Sequence, residues 1–127
     1  MDEEIFENKL VKADNLVKNE KYEEAMELLN DLKKIEDEED FNYNLTHKLY
    51  QLISNTESLH NQQIIIDIIR KNIDDNQMIE LTTLYELLKA DNSIQIERSI
   101  LKREIELLIL RGVLKGNLKE DKIILDE

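Results

Sequence analysis

Cysteine, proline and tryptophan are absent from the 127 residues, and glycine occurs only twice. Without cysteine there are no disulfides, no thiolate metal sites and no cysteine nucleophile. Without proline, and with so little glycine, few positions can break a helix, so a mostly α fold is expected. Aromatic residues make up 5% of the chain, too few to dominate a core. No apolar run approaches the 18 or more residues of a membrane span, and the acidic start MDEEIFENKL lacks the basic and apolar stretches of a secretory leader. These features lead to the expectation of a soluble, cytoplasmic protein with no membrane association. Basic residues are also scarce, 17 against 29 acidic, giving a net charge of −12.

The acidity is uneven. Residues 1–60 carry 16 acidic and 7 basic side chains, net −9, while residues 61–127 carry 13 and 10, net −3. Phosphate binding requires clustered Lys and Arg, so the first half should repel nucleic acid and anionic membranes. The chain is expected to divide into a helical segment, 1–60, and a second domain, 61–127.

In the first half, Phe6, Leu10, Ala13 and Val17 form one helical stripe, and Tyr22, Ala25, Met26, Leu29 and Leu32 form another. The short link KNEK makes the two an antiparallel hairpin. After the acidic run EDEED at 36–40, Phe41, Leu45, Leu49, Leu52 and Ile53 supply a third stripe. The segment ADNLVKNEKYEEAMELLNDL, with Tyr22, Glu23, Glu24 and Ala25 opening its second helix, resembles a tetratricopeptide-type hairpin. The usual glycine of the inter-helix turn is missing, and a three-helix bundle would give the same stripes. The acidic run lacks the alternating oxygens and the glycine of a calcium loop and is expected to be a solvated connection. His47 and His60 lack metal-ligand spacing.

In the second half, Ile65, Ile66, Ile69 and Ile73 share a helical side, Asp74-Asp75-Asn76 ends that helix, and MIEL is a short extended segment. Thr82 is expected to cap a helix facing Leu84, Leu87 and Leu88 inward, which Asp91-Asn92-Ser93 ends while offering caps to the next. That third helix is expected from about Ile94 to Arg111, with Leu101, Ile105, Leu108 and Ile109 inside. Gly112 supplies a left-handed stop, and the alternation through Leu114, Gly116 and Leu118, then Ile123 and Leu125 around a tight turn at Glu120-Asp121, predicts a β-hairpin. Gly116 is expected to relieve crowding or allow a bulge.

Helix, strand, helix, helix, hairpin is the order of a winged helix. The residues Ile79, Leu81, Leu84, Leu87 and Leu88, followed by Ile105, Leu108, Ile109, Gly112, Leu114, Gly116 and Leu118, make this part similar to the winged helix closing PCI domains. Those domains are scaffold modules of proteasome lid, signalosome and initiation-factor complexes. The same residues resemble the closing winged helix of the DDRGK-type ufmylation adaptor. Lys119 departs from the aspartate usual in those families, and the interval from Leu84 to Ile109 is longer than theirs. The resemblance implies a non-enzymatic adaptor or scaffold subunit that binds protein partners, with a possible homodimer through the winged helix.

The expected contact is a wing patch of Val113 and Ile124 amid Lys115 and Lys122, using the outer strand's edge; the bland alternative is that Val113 and Ile124 cover each other as a cross-strand pair. The competing function is a nucleic-acid-binding transcriptional regulator, for which Arg98, Lys102, Arg103, Lys115 and Lys119 would be the contacts. Interspersed carboxylates leave no continuous basic stripe there, so nucleic acid is not the expected partner. Catalysis is not expected either: the chain has no glycine-rich phosphate loop, HExxH or GxSxG, and Asp74-Asp75 read as a helix terminus. No cofactor or metal is implied.

Overall fold

The computed structural model describes residues 1–91 and 94–126, and the chain divides into two compact units, Met1–His60 and Asn61–Glu127. Three helices build the first unit: α1 (Glu3–Lys18), α2 (Tyr22–Glu38) and α3 (Tyr43–Asn72), the last counting with the second unit from Asn61 onward. Helices α1 and α3 each begin at a side-chain cap that the sequence supplies, whereas Lys21 before α2 makes no such bond. The Asp2 carboxylate accepts the Glu4 amide at 2.9 Å, with Glu3 and Glu4 in the positive first turn, and Asn42 Oδ1 accepts the Leu45 amide at 3.0 Å at the start of α3. Phe6, Leu10 and Ala13 of α1 meet Leu29 and Leu32 of α2 and Leu45 and Leu49 of α3 in one core, and the Phe6 ring stacks on Phe41 with centroids 4.3 Å apart. Each fully buried Leu or Phe contributes about 1.5–3 kcal/mol by leaving water.

The link between α1 and α2 solves the missing-glycine problem in an unusual way. Glu20 itself takes φ 60, and the bonds from the Glu20 amide to the Val17 carbonyl (3.0 Å) and from the Lys21 amide to the Leu16 carbonyl (2.8 Å) form a Schellman cap. The acidic run does not break the pattern where expected. Helix α2 continues through Glu38, and Glu36 within it accepts the Tyr50 hydroxyl at 3.1 Å.

Helix α3 is a single 30-residue element. The polar interval SNTESLHNQQ between its two apolar stretches contains no Gly or Pro, so nothing interrupts the backbone hydrogen bonds. Beyond Asn72, the Asp74 carboxylate accepts the amides of Asn76 (2.9 Å) and Met78 (3.0 Å), turning the chain into β1 (Met78–Glu80).

The second unit continues with α4 (Leu81–Asp91), α5 (Arg98–Leu110), β2 (Gly116–Lys119) and β3 (Lys122–Leu125). The strands form an antiparallel sheet in the order β1-β3-β2, which with the helices is the winged-helix arrangement. Its core gathers Ile65 and Ile69 from α3, Leu84 and Leu88 from α4, Leu101, Ile105 and Leu108 from α5, and Ile79 and Ile123 from the sheet. Glu120 and Asp121 both adopt positive φ, 52 and 59, as the two-residue turn of a hairpin requires.

Two boundaries differ from expectation. Helix α4 starts at Leu81, whose amide is bonded to the Asp121 carbonyl at 2.8 Å, so Thr82 sits inside the first turn and is not a cap. Helix α5 starts at Arg98 with extended Glu97 as its N-cap residue, not near Ile94. Ile94 and Ile96 precede it as half-buried residues against the core, and this connection holds part of the extra length before the wing. Of the residues expected to cap α5, Asn92 and Ser93 lie outside the described residues. The C-terminal stop is as expected: Gly112 has φ 75, and the bonds from Gly112 to Ile109 (3.0 Å) and from Val113 to Leu108 (2.9 Å) repeat the Schellman pattern of α1. Among the described residues no helix is long and apolar enough to cross a membrane.

Candidate functional site

Strand alternation sorts the expected contact residues of the wing. Ile123 faces the core between Ile79 and Leu118, so Lys122 and Ile124 face outward, Lys122 between Glu80 and Lys119, and Ile124 between Met78 and Asn117. Lys115 lies beyond Gly116 on the same alternation, its carbonyl accepting the Asp126 amide at 2.8 Å. Lys115, Lys119, Lys122 and Ile124 therefore belong to one face of the sheet. Val113 does not. It sits in the turn after α5, and the cross-strand neighbours of Ile124 are Met78 and Asn117, so the expected Val113–Ile124 pair does not form.

The closing strand is also not an edge. β3 is paired on both sides, with β1 taking the side that a lone hairpin would leave free, and the open edges belong to β1 and β2. The outward residues of β2 are Asn117 and Lys119, with Lys115 just before it. Lysines along an edge discourage pairing with another strand of the same kind.

The basic residues proposed to meet nucleic acid are partly engaged within the unit. Arg98 and Lys102, one turn apart on α5, both reach the Asp121 carboxylate at the hairpin turn, at 3.7 and 3.4 Å. Arg111, after the last turn of α5, donates to Gln62 Oε1 at 2.8 Å, and Gln62 Nε2 donates to Glu104 Oε2 at 2.7 Å. Gln62 and Glu104 are both buried, so this chain of hydrogen bonds solvates a carboxylate inside the unit. Among the described residues no ion pair involves Arg103, Lys115, Lys119 or Lys122.

The outward face of α5 carries a feature that the sequence reading did not single out. Leu101, Ile105 and Leu108 point into the core, and Ile109 is partly buried against it. On the opposite side, Ile100, Leu107 and Leu110 are 37%, 37% and 82% exposed, and Val113 just beyond the helix is 42% exposed. Positions i, i+7 and i+10 fall within about 80° of one another at 3.6 residues per turn, so the three helical residues form one stripe. Arg103 lies within it and Glu106 along one flank. The signal was present as spacing, but in the run LLIL every residue is apolar, and only the position of the core decides which are left outside.

The histidines serve ordinary packing. His47 stacks with Tyr43 at 5.9 Å between centroids, and His60 lies 6.2 Å from the Tyr22 ring. Among the described residues no group of three or more His, Asp or Glu side chains is arranged to hold a metal ion.

No family model matches the chain, and neither the curated proteins nor the solved structures contain a match. The class of the second unit therefore rests on its own geometry: a winged-helix arrangement whose outward helix face is apolar.

Proposed function

We propose that the chain is a non-enzymatic protein-protein interaction module, an adaptor or scaffold subunit of the PCI-like kind acting in the cytoplasm, and that the outward face of α5 is its principal contact. One observation carries this reading. In winged helices that read DNA, the helix in this position enters the major groove with polar and basic side chains. Here that face presents Ile100, Leu107 and Leu110, with Leu110 82% exposed. Side chains of this kind gain nothing from phosphates, whereas clustered exposed apolar residues on a soluble unit are characteristic of protein contacts. The competing reading, nucleic-acid binding, loses two of its proposed contacts to Asp121, since Arg98 and Lys102 already share that carboxylate. The net charge of −12 further opposes approach to a polyanion.

The test compares the full chain with its Leu110→Glu variant. Affinity purification from the native cell should recover a defined protein partner with the wild type and lose it with the variant. Fluorescence anisotropy with random duplex DNA at physiological salt should show no binding tighter than about micromolar for either. Nanomolar, sequence-selective DNA binding that survives Leu110→Glu would transfer the function to the nucleic-acid reading.

A further inference from the structure

The outward stripe of α5 is complementary to itself. We infer that two copies of the chain associate through antiparallel pairing of their α5 helices about a two-fold axis near Ile105. This inference rests on the reading of that face as a protein contact and names its occupant as a second copy of the chain.

The register follows from helix geometry. In an antiparallel two-fold pair centred near Ile105, a residue five positions before the centre meets one five positions after it, about 7.5 Å along the axis from the middle. Ile100 thus meets Leu110 of the other copy, twice, and Leu107 approaches its own equivalent near the axis. Such an arrangement is isologous: every contact occurs in two copies. Glu106, on the flank of the stripe, and Arg103, within it on the same side, face the same side of the second helix, because a two-fold axis perpendicular to both helices returns each flank to its own side. Along that flank Glu106 lies about 1.5 Å beyond the centre and the other copy's Arg103 about 3 Å beyond it, so the opposite charges come level. Among the described residues Arg103 makes no ion pair, and in the dimer it can make this one.

Charge also selects this orientation over the alternative. In a parallel pair each Arg103 would stand level with its counterpart, and in an apolar contact that repulsion is unfavourable. The antiparallel second copy brings Ile100 level with Leu110 and Arg103 level with Glu106, so apolar meets apolar and opposite charges meet along the same stripe. A contact of three helical turns falls below the roughly 1,200 Å² typical of stable complexes, so affinity on the order of tens of micromolar is expected.

Sedimentation velocity of the full chain from about 5 to about 500 µM at physiological salt should show reversible dimerisation in this range. Leu107→Arg, on an exposed position, should remain monomeric throughout while its circular dichroism stays that of the wild type. Arg103→Glu and Glu106→Arg should each weaken the dimer about tenfold, and the double variant, which restores opposite charges in exchanged places, should recover it to within about threefold. A wild type that stays monomeric at the highest concentration overturns the pairing. So does a double variant, folded as judged by circular dichroism, that dimerises no better than either single one. If the wild type is monomeric and Leu110→Glu still loses the partner recovered from the cell, only the self-pairing fails and the adaptor reading stands. If that variant keeps its partner as well, both fail.

Discussion

The two glycines of this chain are required for different reasons, and replacing each with alanine separates them. At Gly116 a methyl carbon would stand 2.1 Å from the Ile124 carbonyl oxygen, 2.8 Å from the Leu125 Cα and 3.0 Å from the Ile124 carbonyl carbon. Non-bonded carbon contacts are comfortable at about 3.5–4.0 Å, so β2 and β3 must separate by more than an ångström where Gly116 pairs with Leu125 and Asn117 with Ile124. Hydrogen-bonded strands lie about 4.8 Å apart with little tolerance, and the movement breaks the end of the ladder. All the atoms met are backbone, so no rotamer change relieves the clash. A cost of about 2–4 kcal/mol is expected, the range of severe overpacking. At Gly112 the same methyl meets nothing within 4 Å, but φ is 75. There the penalty is conformational only, about 1–2 kcal/mol for a residue with a Cβ in the left-handed region. Thermal and urea unfolding followed by circular dichroism should therefore rank Gly116→Ala as the more damaging, and hydrogen exchange should localise its effect to the amides of β3. A Gly116→Ala variant that unfolds no more readily than Gly112→Ala would refute the close approach of the two strands.

Three further outcomes are expected. Glu20→Gly should raise the urea midpoint, by a stabilisation of about 0.5–1 kcal/mol, because Glu20 occupies φ 60 with a Cβ, while Glu20→Ala should give no such gain. Gln62→Ala should cost about 2–3 kcal/mol in urea unfolding, since it removes the 2.7 Å bond to the buried Glu104 carboxylate, and in a Glu104→Leu background the same substitution should cost less. The Tyr50 phenol is held above its usual value of 10.0, first by its hydrogen bond to Glu36, then by desolvation and by the negative charges of Glu36 and Asp37. A raised folded value favours the protonated phenol, so this contribution is complete below the unfolded value of about 10 and disappears as pH rises through the folded one. Ultraviolet titration of phenolate should show a late-titrating tyrosine that Tyr50→Phe removes.

The elements legible in the sequence were those with local causes. Phe6, Leu10 and Ala13 are on one stripe because a helix of period 3.6 places them there, and all three are buried. Gly112 and the pair Glu120-Asp121 marked a helix stop and a hairpin turn, which they are. Where several conformations satisfied the local pattern, the outcome depended on distant residues. Ile94 and Ile96 continue the helical spacing of α5 acceptably, yet they lie before it as half-buried residues against the core. The position of β3 between β1 and β2 could not be read from the hairpin alone, because Met78, Ile79 and Glu80 are more than forty residues away in the sequence. The expected edge contact therefore fell on a strand that has no free edge. For the same reason the Ile100, Leu107 and Leu110 stripe was hidden: an unbroken apolar run contains both an inside and an outside, and only the packed core distinguishes them.

What holds α5 in place explains why its outward face stays exposed. At its N-terminal end, Arg98 and Lys102 converge on the Asp121 carboxylate, and the backbone carbonyl of the same Asp121 accepts the first amide of α4. One turn residue of the wing thus connects the starts of two helices. At the other end Arg111 is joined through Gln62 to the buried Glu104, tying the end of α5 to α3, and the Schellman cap at Gly112 completes the helix without using any side chain. Exposed ion pairs of this kind add little stability individually, about 0–1 kcal/mol. Their effect is geometric: two anchors fix both the rotation and the axial position of the helix between them. Arg98, Lys102 and Arg111, which a DNA-reading helix would extend toward phosphates, are instead turned to their own unit, at the hairpin and at α3. The middle of the outward face is left with Ile100, Leu107 and Leu110 on a helix that cannot easily roll to bury them. An apolar stripe held rigidly in water remains unfavourable while it is exposed, and on the reading proposed above a protein partner is what would cover it.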